Sequence, residues 1–174
     1  MFPSITTWRT RCASRIVSFC LAATALLLAS ANVSAVAQCH NIHGQIDDHP
    51  APGPTCTSPI ALCTEGTFSG VLQGEYSSIA TTLNPTADTP VTAVLLYTAD
   101  TTLHAHLGDQ AGDLLIKNAG AFHVAGAGEA TEVSSITGGT GAFAGASGIF
   151  FVNGMADLAT GVGHAVYDGQ LCLP

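Results

Sequence analysis

The chain from Thr64 onward is divided into short runs rich in Val, Ile, Thr, Phe and Tyr, which are separated by Gly, Asn, Asp and Pro. No stretch of this region has the period of an amphipathic helix, whereas β-branched and aromatic runs between turn residues are typical of strands. The predicted runs are 64–76, 91–98, 101–107, 112–124, 129–137, 146–153 and 160–172. Seven or eight antiparallel strands at this spacing predict an all-β barrel or sandwich.

Alternation within each run predicts an inner and an outer face, because successive side chains of a strand point to opposite sides. The inner face is apolar and rich in glycine, which permits the bending that a closed barrel requires. We expect it to be nearly free of carboxylates and histidines, since most ionisable side chains fall on the other face. The side chains predicted to line the interior and to contact a ligand there are Phe68, Leu72, Tyr76, Leu103, Phe122 and Tyr167.

Two of the predicted strands, 91–98 and 146–153, are apolar on both faces. We expect a cover over their outer side, either from an N-terminal arm or from a second copy of the chain. The arm is the segment 38–63, which has three prolines within five positions and no periodicity. Its composition predicts an irregular segment, so that the barrel domain is expected to comprise residues 64–174.

Residues 1–37 have the three parts of a secretory signal peptide. A segment with three arginines precedes an uncharged stretch containing the run LAATALLLASA, which ends in a small-residue pattern at Ala37. An uncleaved membrane anchor and a lipoprotein modified at Cys39 are the alternatives. Polar residues within the stretch disfavour the anchor, and Gln38 before the cysteine disfavours the lipoprotein. The sequence therefore predicts a protein secreted to the periplasm or the cell exterior.

Cleavage after Ala37 leaves one basic residue, Lys117, against all twelve acidic residues, which gives a net charge of −11 with neutral histidines. This charge disfavours nucleic acid and anionic membrane surfaces as partners, because both carry negative charge.

Cleavage also leaves four of the six cysteines, and an even number in an exported chain predicts disulfides. No C-x2-C pair is present, so zinc is disfavoured. Three pairings are possible. The short spacing of Cys56 and Cys63 favours a local loop, which leaves Cys39 to join Cys172 and connect the two ends of the domain.

The most distinctive motif is the glycine-rich segment ITGGTGAFAGASGIFFVNG, residues 136–154. It lacks the Lys-Ser/Thr pair of a phosphate-binding loop and continues as a strand, so we interpret it as a tight turn with Phe143 as an apolar plug. The segment also lacks the spacing of a serine nucleophile elbow.

The run GGTGAFAGASG followed by a strand resembles the GTG-x-F-x-G-A-x-G signature of allene oxide cyclase-like and dirigent-like small β-barrels. The segment Cys56–Tyr76 resembles the opening of secreted bacterial members, which also end near a cysteine, as at Cys172. The resemblance implies an eight-stranded antiparallel barrel with an apolar cavity, often assembled as a homo-oligomer. Plant relatives cyclise an unstable epoxide or steer the coupling of phenoxy radicals. No segment of this chain matches the motifs that carry their polar functional residues, so no catalytic residue is assigned.

The histidines offer two candidate metal sites, neither of which we adopt. His104, His106 and His123 fall on one face of neighbouring runs, but that face is expected to be solvated and no carboxylate is evidently placed to orient the rings. After cleavage, His40 becomes the third residue of the chain, a position that suits Cu(II) or Ni(II). An N-terminal Gln tends to cyclise and to remove the amine that such a site needs. We therefore assign no metal ligand and no cofactor.

Three functional hypotheses remain. The first is a secreted barrel that binds a small lipophilic ligand in its interior. The second is an isomerase or cyclase that acts by confining a reactive substrate. The third is an extracellular structural or interaction protein with a filled core, since barrels of eight strands can be packed solid. The size of the interior cavity and the polar groups inside it distinguish among them.

Overall fold

The computed structural model describes residues 37–51 and 53–174, and the predicted signal peptide lies outside these residues except for Ala37. Eight strands account for most of the described chain. A helical turn, α1 at Thr89–Thr92, and two 3-10 turns, Gly53–Thr55 and Gly141–Phe143, lie in the connections. The strands are β1 Gln38–Pro50, β2 Cys63–Gly70, β3 Gln73–Pro85, β4 Val94–Leu107, β5 Gln110–His123, β6 Glu129–Gly139, β7 Ser147–Ala156 and β8 Gly163–Leu173.

The eight strands form a closed barrel in chain order, and β8 pairs with β1 to complete it. Every neighbouring pair is antiparallel. Closure leaves no unpaired sheet edge, because each strand has a hydrogen-bonded neighbour on both sides. The predicted all-β antiparallel barrel of about eight strands is therefore confirmed.

The N-terminal segment corrects one prediction. Residues 38–50 are not an irregular arm, because they form β1, which pairs with both β2 and β8. Ile42 and Ile46 are buried in the core on its inner face. The alternation was hidden in the sequence because a glycine and an aspartate occupy the other inward positions, Gly44 and Asp48. Of the described residues in 38–63, those that lie outside the strands are residue 51 and residues 53–62, and the latter include the 3-10 turn Gly53–Thr55.

Both predicted disulfides are present. Cys39 is bonded to Cys172 over a sequence separation of 133 residues, and the two residues are direct partners in the β1–β8 ladder. Cys56 is bonded to Cys63 over a separation of 7 residues. The first bond therefore joins the two strands that close the barrel, and the second fastens the β1–β2 connection to the start of β2.

The observed strands differ from the predicted runs at β2, β3 and β4. The run 64–76 is two strands, β2 and β3, because the chain turns at Val71 and Leu72. The runs 91–98 and 101–107 are one continuous strand, β4, which pairs with the second half of β3. That half, from Ser77 to Pro85, was not predicted, because its polar sequence gains strand structure from pairing with β4.

One half of the barrel is packed solid. Leu72, Leu103, Leu114, Phe143 and Leu171 are all fully buried there, with no exposed surface. Phe143 comes from the 3-10 turn of the glycine-rich segment, so its predicted role as an apolar plug agrees with its position in the core. The β2–β3, β4–β5 and β6–β7 turns all lie at this end. The opposite half is open, as described below.

The outer side of β7 is uncovered in the single chain, where Ile149 and Phe151 are 45% and 52% exposed. The predicted cover by the N-terminal arm is wrong, because β1 lies within the barrel wall. Val133 is the direct partner of Phe151 in the β6–β7 ladder and is also exposed. A homo-oligomer that covers this apolar face stays a prediction. Within the described residues, no helix is long and apolar enough to cross a membrane.

Tyr167, on β8, fastens the β2–β3 turn by reaching past the intervening strand β1. Its hydroxyl accepts a hydrogen bond from the Leu72 N–H at 3.1 Å and donates to the Leu72 carbonyl at 2.9 Å. Gly44 makes room for the ring, because a Cβ atom at this position would lie 2.7 Å from the Tyr167 hydroxyl.

We expect Tyr167→Phe to lower the free energy of unfolding by about 1–3 kcal/mol, because it leaves a buried amide without a partner. Urea denaturation measures this loss, and hydrogen exchange of the Leu72 amide localises it. A variant of wild-type stability in which that amide stays protected would show that the hydroxyl does not hold the turn.

Candidate functional site

The open half of the barrel encloses a cavity of about 450 Å³. Its mouth is formed by residues of the β1–β2, β5–β6 and β7–β8 connections, which include Leu62, Val124 and Leu158. Its floor is apolar and contains Phe68 and Phe150, whose rings meet edge to face with centroids 6.1 Å apart. The cavity is thus separated from the packed half by an aromatic layer.

The six predicted interior residues divide between the two halves. Phe68, Tyr76 and Phe122 line the cavity. Leu72, Leu103 and Tyr167 are buried in the packed core and are absent from the cavity lining. The sequence therefore identified inward side chains, but it did not identify the end of the barrel that is open.

A carboxylate, Glu132, projects into the cavity from β6 and is held by three side chains. Tyr97 donates a hydrogen bond to its Oε2 at 3.0 Å, while Asn118 and Ser134 donate to its Oε1 at 2.7 and 2.6 Å. Asn118 Oδ1 accepts a hydrogen bond from Thr101 at 2.9 Å. Neutral donors from β4, β5 and β6 thus orient the carboxylate, and none of them neutralises its charge.

A second carboxylate, Asp48, lies on the inner face of β1 and also lines the cavity. Burial raises the pKa of Asp48 above its ordinary value, and the neighbouring Tyr76 hydroxyl and Gly163 backbone oppose this rise. Gly163 leaves space for the carboxylate in this position, because a Cβ atom there would collide with Asp48 Oδ1.

The phenol groups of Tyr76 and Tyr97 remain protonated over the ordinary pH range. Burial raises the pKa of both, and the nearby negative charges of Asp48 and Glu132 raise it further. Each hydroxyl therefore acts as a hydrogen-bond donor. Gly120 leaves space for the Tyr97 ring, since a Cβ atom there would lie 2.6 Å from the hydroxyl and from the carbon that bears it.

These carboxylates correct the expectation that the inner face is nearly free of them. Asp48 was missed because β1 was interpreted as an irregular arm. Glu132 was missed because β6 places Glu132 and Ser134 inward and Val133 outward, the reverse of the usual apolar-inside pattern. The apolar residues of β6, Ala130, Val133 and Ile136, are three positions apart, so their spacing does not show which face is the inner one.

No lysine or arginine lines the cavity among the described residues. Lys117 lies on the outer face of β5, 2.7 Å from Asp100. Four histidines, His49, His104, His123 and His164, lie within 4 Å of a carboxylate, as in the 2.6 Å contact between His104 Nδ1 and Asp113. In the part of the chain that the structure describes, no group of three or more His, Cys, Asp or Glu could hold a metal ion.

No protein-family model matches this sequence, and no curated protein matches it. Among solved structures, the chain is similar to the pterocarpan synthase dirigent protein GePTS1. The identity is 12% over 79% of this chain and 87% of that chain, with a TM-score of 0.32. No residue role is taken from that protein, and the allene oxide cyclase-like part of the resemblance stays a prediction.

Proposed function

We propose that this protein is a secreted barrel that binds a small, mainly apolar molecule in the cavity of its open half. The observation that carries the proposal is the cavity itself, which has an apolar floor of Phe68 and Phe150 and a few oriented polar groups. Such a combination of apolar surface and sparse, fixed polar groups is typical of small-molecule sites. The two disulfides support an oxidising compartment such as the periplasm or the cell exterior.

The open cavity argues against a filled core, and therefore against a purely structural role. Thr101, Asn118 and Ser134 are buried polar residues that form part of one hydrogen-bonded network. Apolar residues would pack this wall without the desolvation cost of polar groups. A network that ends on a carboxylate in the cavity therefore favours a role in contacting a ligand.

Isomerisation or cyclisation of a confined substrate is the second candidate, and Asp48 is the observation that favours it. Its carboxyl group lines the cavity, within reach of a bound molecule, and burial raises its pKa above the ordinary value. Beside it, Tyr76 supplies a protonated hydroxyl to the same cavity. In this second candidate Asp48 is the proposed proton-transfer group, and the Tyr76 hydroxyl orients the bound molecule by donating a hydrogen bond.

We expect the neutral fluorescent probe N-phenyl-1-naphthylamine to bind the folded, disulfide-bonded barrel with one probe per chain. Its fluorescence emission is expected to increase when it enters the apolar cavity. Ala99 lines the cavity, so the larger side chain in Ala99→Phe fills part of it. We expect the probe to bind about tenfold more weakly or worse, because it can bury less apolar surface there. Ala119→Phe is the matched control, because Ala119 lies on the outer face of β5 and is exposed.

Fluorescence titration of the two variants and the wild type measures this difference. Binding that survives Ala99→Phe and is lost in Ala119→Phe would place the site on the outer surface. Absence of saturable binding by the folded wild type would contradict the proposed function.

A further inference from the structure

We infer that the ligand of this cavity is an organic cation, an amine attached to an apolar body. This inference rests on the proposed function and specifies the chemical class of molecule that the same cavity takes. It follows from three features of the cavity lining: its negative charge, the absence of lysine and arginine among its described residues, and its aromatic rings.

The charge of the lining comes first. Asp48 and Glu132 both lie within the cavity, and Asp157 lies at its mouth. Among the described lining residues, the single histidine is His164, whose Nδ1 lies 2.6 Å from Asp47 on the outer face. An anionic ligand such as a fatty acid or a phosphate ester would therefore enter a site of its own sign, without a cationic partner to receive it.

The manner in which Glu132 is held comes second. Its partners Tyr97, Asn118 and Ser134 orient both carboxylate oxygens, but all three are neutral. A carboxylate that is fixed in place inside a partly desolvated cavity forms its strongest contact with a positively charged donor. A ligand ammonium group supplies that donor, and the surrounding protein does not.

The aromatic rings come third. Tyr76 and Tyr97 present rings to the cavity from neighbouring strands, and Phe68, Phe122 and Phe150 complete its aromatic lining. Aromatic faces attract cations, and the attraction increases where water is excluded. The same rings bind the apolar body of the ligand, so one lining serves both parts of an amphiphilic amine.

The test uses three compounds that share one aromatic body: 1-naphthylmethylamine, 1-naphthalenemethanol and 1-naphthoic acid. Isothermal titration calorimetry near neutral pH gives the dissociation constant of each for the folded, disulfide-bonded domain. We expect the amine to bind about tenfold to one-hundredfold more tightly than the alcohol, which corresponds to one charge-assisted hydrogen bond, and the acid to bind most weakly.

Glu132→Gln and Asp48→Asn are the variants that remove the charges, and Glu75→Gln, on the outer face of β3, is the matched control. The amine-to-alcohol affinity ratio is expected to fall towards one in the double variant E132Q/D48N, while alcohol binding persists and shows that the cavity is intact. The control is expected to keep the wild-type ratio.

The outcomes separate the two proposals. Equal affinity of the wild type for amine and alcohol, or tighter binding of the acid, would overturn the cationic ligand and leave the proposed binding function in place. A preference for the amine that persists unchanged in the double variant would also overturn it. Failure of the folded wild type to bind any of the three compounds would overturn both proposals.

Discussion

Replacing Cys39 and Cys172 together by Ala is expected to lower the free energy of unfolding by about 5 kcal/mol. In the chain-entropy account, a cross-link stabilises by restricting the unfolded chain, and its effect grows with the length of the loop that it closes. The Cys39–Cys172 bond closes a loop of 133 residues and joins β1 to β8, the pair that completes the barrel. A loss of this size is a large part of the usual stability of a domain, about 5–15 kcal/mol.

The matched control is the C56A/C63A variant. Its disulfide spans 7 residues, for which the same account gives about 2 kcal/mol. Urea denaturation under non-reducing conditions compares the two double variants with the oxidised wild type. An equal or larger loss from the short bridge would show that the long bridge does not act by closing the barrel.

The inner and outer residues of a strand could be predicted where apolar side chains face the interior and polar side chains face outward. In β5, Leu114 and Ile116 are buried while Lys117 points outward, as the sequence indicates. The rule is local, because side chains alternate whatever the strand pairs with. It therefore predicted the fold class and most of the strands without any knowledge of the pairing order.

The candidate site was predicted less well, because its polar residues depend on contacts that are distant in the sequence. Glu132 is tolerated inside the barrel because Tyr97 reaches it from β4 and Asn118 reaches it from β5. Tyr97 and Asn118 lie 35 and 14 residues before Glu132 in the sequence, so the residues next to Glu132 give no sign of either partner. The same limit applies to Asp48, whose burial depends on the pairing of β1 with β2 and β8.

The division into a packed half and an open half also depends on tertiary contacts. Tyr76 and Tyr167 are both inward aromatic residues, and nothing in their local sequence distinguishes them. Tyr167 is buried because it reaches the β2–β3 turn at Leu72, at the end where Phe143 fills the interior. Tyr76 lies nearer the opposite end, beside Asp48, where the connections leave the interior empty. A ligand site is therefore expected at one end of the barrel only.

Phe150→Ala is expected to lower the free energy of unfolding by about 3–5 kcal/mol, in the range found for buried aromatic truncations. Phe150 is 1% exposed, and its ring packs against Phe68 and Tyr167 with centroids 6.1 and 6.0 Å apart. Phe150 is part of the layer that separates the cavity from the packed core. Its removal enlarges an existing void that neighbouring side chains cannot refill.

The next residue of the same strand is the control. Phe151 is 52% exposed on the outer face, so Phe151→Ala is expected to change the free energy of unfolding by less than about 0.5 kcal/mol. Urea denaturation of the two variants at one protein concentration measures the contrast. Because the substitutions are identical in chemistry and adjacent in sequence, only the face of β7 differs between them. In protein that is monomeric at that concentration, a larger loss from Phe151→Ala would mean that β7 is shifted by one residue, which would also exchange the cavity-lining and outward residues of this strand.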